Sequence, residues 1–361
     1  MGKRERRRHA DARLVAAVPL ASTVSKREKA SIVAARLGFA WVLERLPRRP
    51  SLLIFNYHRI GAEGNDAYDP GLIEASPEQF DEQMRILKRH YALCDLAEAQ
   101  ELVEHPERMR HSRVLVTLDD GYRDNHDLAL PILRSHGVKA AFFLATGFVG
   151  THRVPWWDQV AYLVRRTEKR ALRIRYPREL SFDLCETSRF EVVEALLRLY
   201  KCEQMTDPAR FLAGVEEACG VDRPQEARER LFMTWEEARN LVKGGMSVGS
   251  HTHDHELLAK LTPEEQLRQC RLSREILVRE IGGDVDTLAY PVGSRASFSD
   301  VTVRCLQETG YRTAFSYYGG INTSSKAIAR YDVNRISVGA LTASRFRMRM
   351  AVAVVTARDL W

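Results

Sequence analysis

Short apolar segments alternate with longer amphipathic segments from residue 51 to about residue 341. The apolar segments are rich in strand-forming residues and bounded by turn residues, which is the pattern of buried strands. The predicted strands are Ser51–His58, Val114–Leu118, Ala140–Ala145, Met246–Ser250, Thr287–Tyr290, Thr313–Phe315 and Asn334–Val338. Strands that alternate with helices predict an α/β fold.

Capping residues mark the starts of several predicted helices. Ser76 precedes Pro77 at the start of a helix that runs to about His90, because serine caps a helix and proline suits its first turn. Thr234 and Glu237 form a capping box. Further helices are predicted at Lys29–Leu46, Tyr122–Ser135, Ser188–Lys201, Pro208–Cys219, Thr262–Ile281, Ser299–Thr309 and Ser344–Leu360.

The alternation is interrupted after the third predicted strand. Residues of about 151–233 are largely helical in pattern. A first helix begins at Trp156 and Trp157, and a short strand pattern follows at Leu172, Ile174 and Tyr176. We therefore predict a basic N-terminal arm over 1–50, an α/β body over 51–341 that carries this insertion, and a C-terminal helix over 342–361. The tryptophans are candidates either for stacking on a ring of the substrate or for packing.

The charge is concentrated in the N-terminal arm. Residues 1–50 hold thirteen Lys or Arg and four Asp or Glu, so the arm carries +9 and the rest of the chain −2 of the net +7. Such an arm can contact anionic lipid or remain solvated. We expect no nucleic-acid binding, because no corresponding fold signal accompanies the arm.

Neither a disulfide framework nor a membrane span is predicted. None of the six cysteines lies at C-x-x-C spacing, and a chain of 361 residues can bury a sizeable core without disulfides. The apolar run Leu14–Ala21 contains Pro19 and is short for a signal peptide. We expect a cytoplasmic location or peripheral attachment to the cytoplasmic membrane face, with export left open.

Asp119 and Asp120 follow the second predicted strand and precede Gly121. Ligands bind at the carboxyl ends of strands in α/β folds. Adjacent strand residues point to opposite faces, so both carboxylates can serve one site only if the chain turns there, and Gly121 permits that turn. The alternative is a helix N-terminal pair, where aspartate is also favoured.

Three histidines follow the fourth predicted strand: His251, His253 and His255. On one helical turn His251 and His255 would face the same side, at the spacing of a zinc-ligand pair. His253 would point away. One carboxylate and two imidazoles leave coordination positions open for water and substrate, which is the pattern of a catalytic metal site. A metal-bound water is a usable nucleophile at neutral pH.

The segment Thr117-Leu118-Asp119-Asp120-Gly121 and the His251-Thr252-x-x-His255 motif resemble those of the polysaccharide deacetylases. These are the carbohydrate esterase family 4 enzymes with a NodB homology domain. The resemblance implies a distorted (β/α)7 barrel, with Asp119 as general base and Asp120, His251 and His255 as ligands of one divalent metal. Zinc is expected, although Co²⁺, Ni²⁺, Mn²⁺ and Fe²⁺ accept the same ligands.

The segment Thr287–Gly293 resembles a third motif of that family, with two departures. Ala289 replaces an arginine that braces the base, and Val292 replaces an aromatic residue of the substrate wall. Tyr290, Pro291 and Val292 are the implied substrate and oxyanion segment, with a backbone N–H near Val292 for the oxyanion. Arg335 is a candidate to brace Asp119 or to recognise substrate, or else a surface residue.

The family's late histidine has no counterpart here, because no histidine follows His255. His58 at the end of the first strand resembles the early histidine of the poly-N-acetylglucosamine deacetylases, whose motif order is permuted. Its unperturbed pKa near neutrality suits a general acid. A structural histidine at a strand end is the alternative.

The resulting hypothesis is a metal-dependent hydrolase that removes N-acetyl groups from GlcNAc-type sugars. Its substrate would be a bacterial cell-envelope polysaccharide, a lipid-linked precursor or a glycoconjugate. The alternatives are a hydrolase of another amide, including a cyclic one, and a degenerate member that only binds carbohydrate.

Overall fold

The structure is a computed structural model that describes residues 39–43, 46, 50–62, 68–325, 327–339 and 341–356. Its strands are β1 Ser51–Tyr57, β2 Arg59–Ile60, β3 Ile73–Ala75, β4 Arg113–Asp120, β5 Ala140–Leu144, β6 Ala171–Ile174, β7 Leu180–Asp183, β8 Ser247–Ser250, β9 Thr287–Ala289, β10 Thr313–Phe315, β11 Asn322–Thr323 and β12 Ile336–Ser337. Its α-helices are Phe39–Leu43, Pro77–His90, Leu96–Glu104, Leu130–His136, Trp156–Arg166, Arg189–Lys201, Pro208–Cys219, Trp235–Lys243, Pro263–Ile281, Asp300–Glu308 and Ala343–Thr356.

Most predicted elements are present within a few residues of their expected ends. The caps at Ser76, Thr234 and Thr262 accept the expected backbone hydrogen bonds. The helix Leu96–Glu104 and the short strands β2, β3, β7 and β11 were not predicted. Of the predicted helix Lys29–Leu46, only Phe39–Leu43 and Leu46 lie within the described residues.

Seven parallel strands form a curled sheet in the order β10, β9, β8, β5, β4, β1 and β12. The segment after β11 joins the two edges of this sheet. At one edge, the N–H of Val333 donates to the carbonyl oxygen of Ala314 in β10 at 3.0 Å. At the other edge, β12 pairs with β1 at Phe55 and Asn56. This arrangement confirms the predicted α/β, distorted barrel-like fold.

Side chains of the barrel strands alternate between two apolar cores, as the two-residue period of a strand requires. Leu52, Ile54, Leu115 and Phe143 face the barrel interior. The unpredicted helix Leu96–Glu104 packs against this inner core and follows a segment paired with the start of β4. The other row of side chains faces the surrounding helices. These outer-core residues include Leu53, Phe55, Val114, Val116, Phe142 and Leu144.

The region between β5 and the helix Trp235–Lys243 has an apolar core of its own. Three helices and the β6–β7 hairpin bury residues such as Val160, Leu196 and Phe211. The largely helical insertion is therefore observed, with a hairpin added. At the other end of the chain, the helix Ala343–Thr356 buries Phe346 and Met350 in the outer core of the barrel.

All six cysteines are free thiols, as the sequence predicted. Among the described helices, none has both the length and the apolar character required to cross a bilayer.

Candidate active site

Buried polar side chains continue the inward-facing rows of β1 and β4 at the carboxyl end of the barrel. Asn56 follows Ile54 at the strand period, and Thr117 and Asp119 follow Leu115. Each of these polar residues is almost completely buried. Buried polar groups are costly unless they are paired, so their partners show how the site is assembled.

Arg335 neutralises Asp119. Its guanidinium donates two hydrogen bonds to the carboxylate, of 2.7 and 2.8 Å, and Asn56 Nδ2 donates a third of 3.0 Å. Arg335 is fully buried, which excludes the surface alternative. Burial opposes ionisation of Asp119, but the guanidinium outweighs this and lowers the pKa of the carboxyl below its usual range. Arg335 therefore makes the arginine contact to Asp119 that the resemblance places at position 289, where this chain has an alanine.

Asp120 turns the chain at the end of β4. Its φ is 73° and that of Gly121 is 86°, so the turn begins one residue earlier than predicted. The described residues include four non-glycine residues with positive φ: Asp120, Thr252, His255 and Val292. Such conformations are strained and concentrate at functional sites. All four lie at this end of the barrel.

His251 and His255 approach Asp120 from an irregular loop after β8. The prediction of a helical turn here is wrong, because Thr252 and His255 adopt left-handed conformations that bring the two imidazoles together instead. Nδ1 of His251 lies 2.7 Å from the carbonyl oxygen of Ala289, so Nδ1–H donates to it and Nε2 is left as a ligand atom. His253 points away and pairs with Thr146.

Asp120, His251 and His255 fit one divalent metal ion. Nε2 of each histidine lies 3.3 Å from Asp120 Oδ1, which is buried without a hydrogen-bond partner among the described residues. Tetrahedral ligands at about 2.0–2.1 Å from zinc are themselves about 3.3 Å apart. Burial lowers the pKa of His255, which favours its neutral, metal-binding form.

A second group of ligand-type atoms, from His126, Asp127 and Glu237, lies at the surface. Its two carboxylates already form ion pairs with Arg123 and Arg230. This arrangement is complete without a cation, in contrast to the buried group around Asp120.

His58 lines one cavity together with Asp120 and His255, and it is held by Glu74. Glu74 Oε2 accepts the backbone N–H of His58 at 2.6 Å and lies 3.3 Å from Nδ1. Burial alone would lower the pKa of His58, but the Glu74 carboxylate, with Asp120 and Asp119, raises it to about 9. Sequence reasoning missed Glu74, since one glutamate in the short segment Ile73–Ala75 carries no signal.

The third motif contributes one side chain to the cavity. Val292 lines it. Tyr290 does not take the place expected of it: its ring stacks on Phe298 in the core at 4.1 Å and its hydroxyl donates to Tyr331 O. Its side chain is therefore not available to a substrate. The backbone carbonyl of Pro291 accepts a hydrogen bond from the N–H of Gly293, which closes a tight turn in this motif.

Trp156 and Trp157 combine packing with a position beside the cavity. The Trp156 ring stacks on Tyr200 at 3.7 Å, and Trp157 lies 4.3 Å from the His255 ring while donating to the Tyr122 hydroxyl. Both tryptophans line the cavity that also contains His58 and Asp120.

Three comparisons with known proteins agree with this geometry. The family model described as "Polysaccharide deacetylase" matches residues 107–174 and 179–314. The protein YxkH of Bacillus subtilis (strain 168), whose name assigns it provisionally to the polysaccharide deacetylases, is 21% identical over 304 residues. These are 83% of this chain and 75% of YxkH.

Two solved structures share the fold. The deacetylase PplD of Streptococcus pyogenes, in complex with acetate, superposes with a TM-score of 0.54 at 16% identity, over 82% of this chain and 96% of PplD. IcaB from Ammonifex degensii gives a TM-score of 0.53 at 17% identity, over 84% of this chain and 97% of IcaB.

Proposed function

The chain belongs to the polysaccharide deacetylase family, and on that premise we propose that it is a metal-dependent hydrolase that removes the acetyl group from N-acetylated, GlcNAc-type sugars. The observation that carries the proposal is the convergence of Asp120, His251 and His255 beside an aspartate held by arginine. His58, which lines the same cavity as Asp120 and His255, supplies the second titratable group that amide hydrolysis needs.

Asp120, His251 and His255 would hold the ion, for which zinc is the first candidate. A divalent ion there supplies Lewis acidity toward the acetyl carbonyl oxygen and lowers the pKa of water. Asp119 accepts the proton of the attacking water at a carboxylate oxygen. Arg335 and Asn56 fix the orientation of that carboxylate before the substrate arrives, so little reorganisation is needed during the reaction.

His58 would donate a proton to the departing amine nitrogen. Its pKa of about 9 keeps it protonated at neutral pH, and Glu74 holds Nδ1 so that Nε2 is the nitrogen that donates. The protonated imidazole is the form that a general acid must have to protonate an amine leaving group. The base therefore comes from β4 and the acid from the residue that follows β1.

The test is acetate release from chitooligosaccharides by the full chain reconstituted with Zn²⁺, compared with Asp119→Asn and His58→Ala. We expect Asp119→Asn to abolish release and His58→Ala to reduce it by about 10²–10⁴-fold. His136→Ala is the matched control, because His136 also pairs with a carboxylate, that of Asp81, but lies outside the cavity.

The possible outcomes separate the parts of the proposal. Release that His58→Ala leaves unchanged would remove His58 from the mechanism and keep the rest. No release from a protein that binds one equivalent of metal would contradict the substrate assignment. It would favour another amide substrate or a member that only binds carbohydrate.

A further inference from the structure

The cavity beside the candidate metal site has walls from two separate parts of the chain, and this bears on which sugars can enter. His58, Asp120 and His255 belong to the barrel. Trp156 and Lys201, by contrast, belong to helices of the insertion. The cavity volume is 270 Å³. The inference below rests on the proposed function and concerns the position of the sugar within its glycan.

A first contact joins the insertion to the loop before β3. The backbone N–H of Asp69 donates to Asp158 Oδ1 at 2.9 Å. Asp158 is fully buried on the first helix of the insertion, and Tyr122 donates to its other oxygen. Both oxygens of this buried carboxyl group therefore have a hydrogen-bond partner, and one of these hydrogen bonds joins the loop to the insertion.

A second contact extends the same wall. The turn Pro70–Leu72 packs on the helix Arg189–Lys201 at Gly71. A Cβ on Gly71 would lie 3.4 Å from Glu194 Oε1 and 3.8 Å from the ring of Phe190. Leu72 of the same turn packs against the apolar core of the insertion, so the loop and the insertion together line the cavity.

The volume limits what the cavity holds. Pockets for drug-sized ligands span about 300–1,000 Å³, so a cavity of 270 Å³ matches a single pyranose ring with its acetamido group. A residue in the interior of a polysaccharide needs an exit on each side. The insertion forms part of the cavity wall with Trp156, Leu197 and Lys201, which reduces the room for an exit there.

We propose that the enzyme acts on a single N-acetylated sugar presented at the end of a glycan, and not on residues within the chain. The polar atoms of the wall suit a terminal sugar, which exposes more hydroxyls than an internal one. Asp69 and Glu194 offer acceptors for hydroxyl groups, and Lys201 offers a donor. Trp156 and Leu197 supply apolar surface for the sugar ring.

The experiment uses the full Zn²⁺-loaded chain with reducing-end-labelled chitopentaose, and fragment mass spectrometry locates each free amine. We expect at most one deacetylated residue per chain end and none in the interior. Free amines at internal positions would overturn the inference and leave the proposed function intact. No acetate from chitopentaose or from free N-acetylglucosamine would overturn both.

A variant tests the wall directly. Lys201→Ala removes a charged donor, and we expect KM for the terminal sugar to rise about tenfold, the equivalent of one such hydrogen bond. Arg198→Ala is the control, since Arg198 is exposed on the same helix and does not line the cavity. An unchanged KM in Lys201→Ala, or an equal rise in Arg198→Ala, would remove Lys201 from the sugar site and count against the proposed wall.

Discussion

Replacing Arg335 by methionine should be among the most costly single substitutions in the barrel. Arg335 is fully buried and donates to both oxygens of Asp119, to Asn56 Oδ1 at 2.8 Å and to Ser316 O at 3.1 Å. Methionine has a similar length but no donors, so Asp119 would stay buried without a cation. Breaking a buried ion pair in this way costs about 3–5 kcal/mol of unfolding free energy.

A second substitution tests whether the charge of Asp119 is the cause. In Asp119→Asn the carboxylate is already removed, so Arg335→Met should cost less in that background than in the wild type. We expect the double variant to be more stable than the sum of the two single effects predicts, by at least about 1 kcal/mol.

The assay is urea unfolding followed by far-UV circular dichroism at one fixed metal concentration for every variant. Arg312→Met is the matched control, because Arg312 pairs with Glu104 and Asp286 at the surface with 57% of its side chain exposed. Solvent screening limits that loss to less than about 1 kcal/mol. A cost below about 1 kcal/mol for Arg335→Met, or strictly additive effects with Asp119→Asn, would refute the reasoning.

Three further predictions concern the same site, and a fourth concerns the N-terminal arm. His255→Ala should lower the bound zinc measured by plasma mass spectrometry from one equivalent to a small fraction, whereas the surface variant His126→Ala should keep it. Glu74→Gln should lower the pKa of His58 from about 9 toward 6.5, so the basic limb of the kcat/KM profile should move to lower pH. Tyr317, Asp119 and Asp120 face the same imidazole and stay in place, so a profile that does not move would exclude His58 as the acid. Val292→Gly should raise Tm, because strain at φ 63° costs about 1–3 kcal/mol and the entropic penalty of glycine is smaller; a lower Tm would contradict this. The full chain should float with anionic vesicles at low salt, and replacing the basic residues of 1–50 by glutamine should abolish this; equal flotation of both would remove the arm from membrane contact.

Local sequence signals predicted most of the helices and strands, and they also located the two aspartates of the site. Strand Arg113–Asp120 was recognisable from its apolar run, and its carboxyl end located the aspartates. Helix starts such as Ser76 follow from capping chemistry, which involves neighbours only three residues apart. The α/β alternation and the family motifs together were sufficient for the fold.

Other parts of the site depend on contacts that local sequence does not encode. Arg335 and Asp119 are 216 residues apart, and nothing near Arg335 distinguishes it from a surface arginine. The spacing of His251 and His255 predicts a helical turn, but Thr252 and His255 adopt left-handed conformations in an irregular loop. Glu74 acquires its importance only because β3 pairs with the residues that follow His58.

The position of Arg335 has a consequence for biosynthesis. The segment that joins the barrel edges and carries Arg335 is made long after β4, and at 5–20 residues per second the ribosome needs about 10–40 s to add the intervening residues. Throughout that interval the nascent chain holds Asp119 without its counter-ion, and the sheet lacks the segment that joins its edges. The residues made before Arg335 therefore cannot complete the Asp119 site, so completion of the base and closure of the barrel become the same late event.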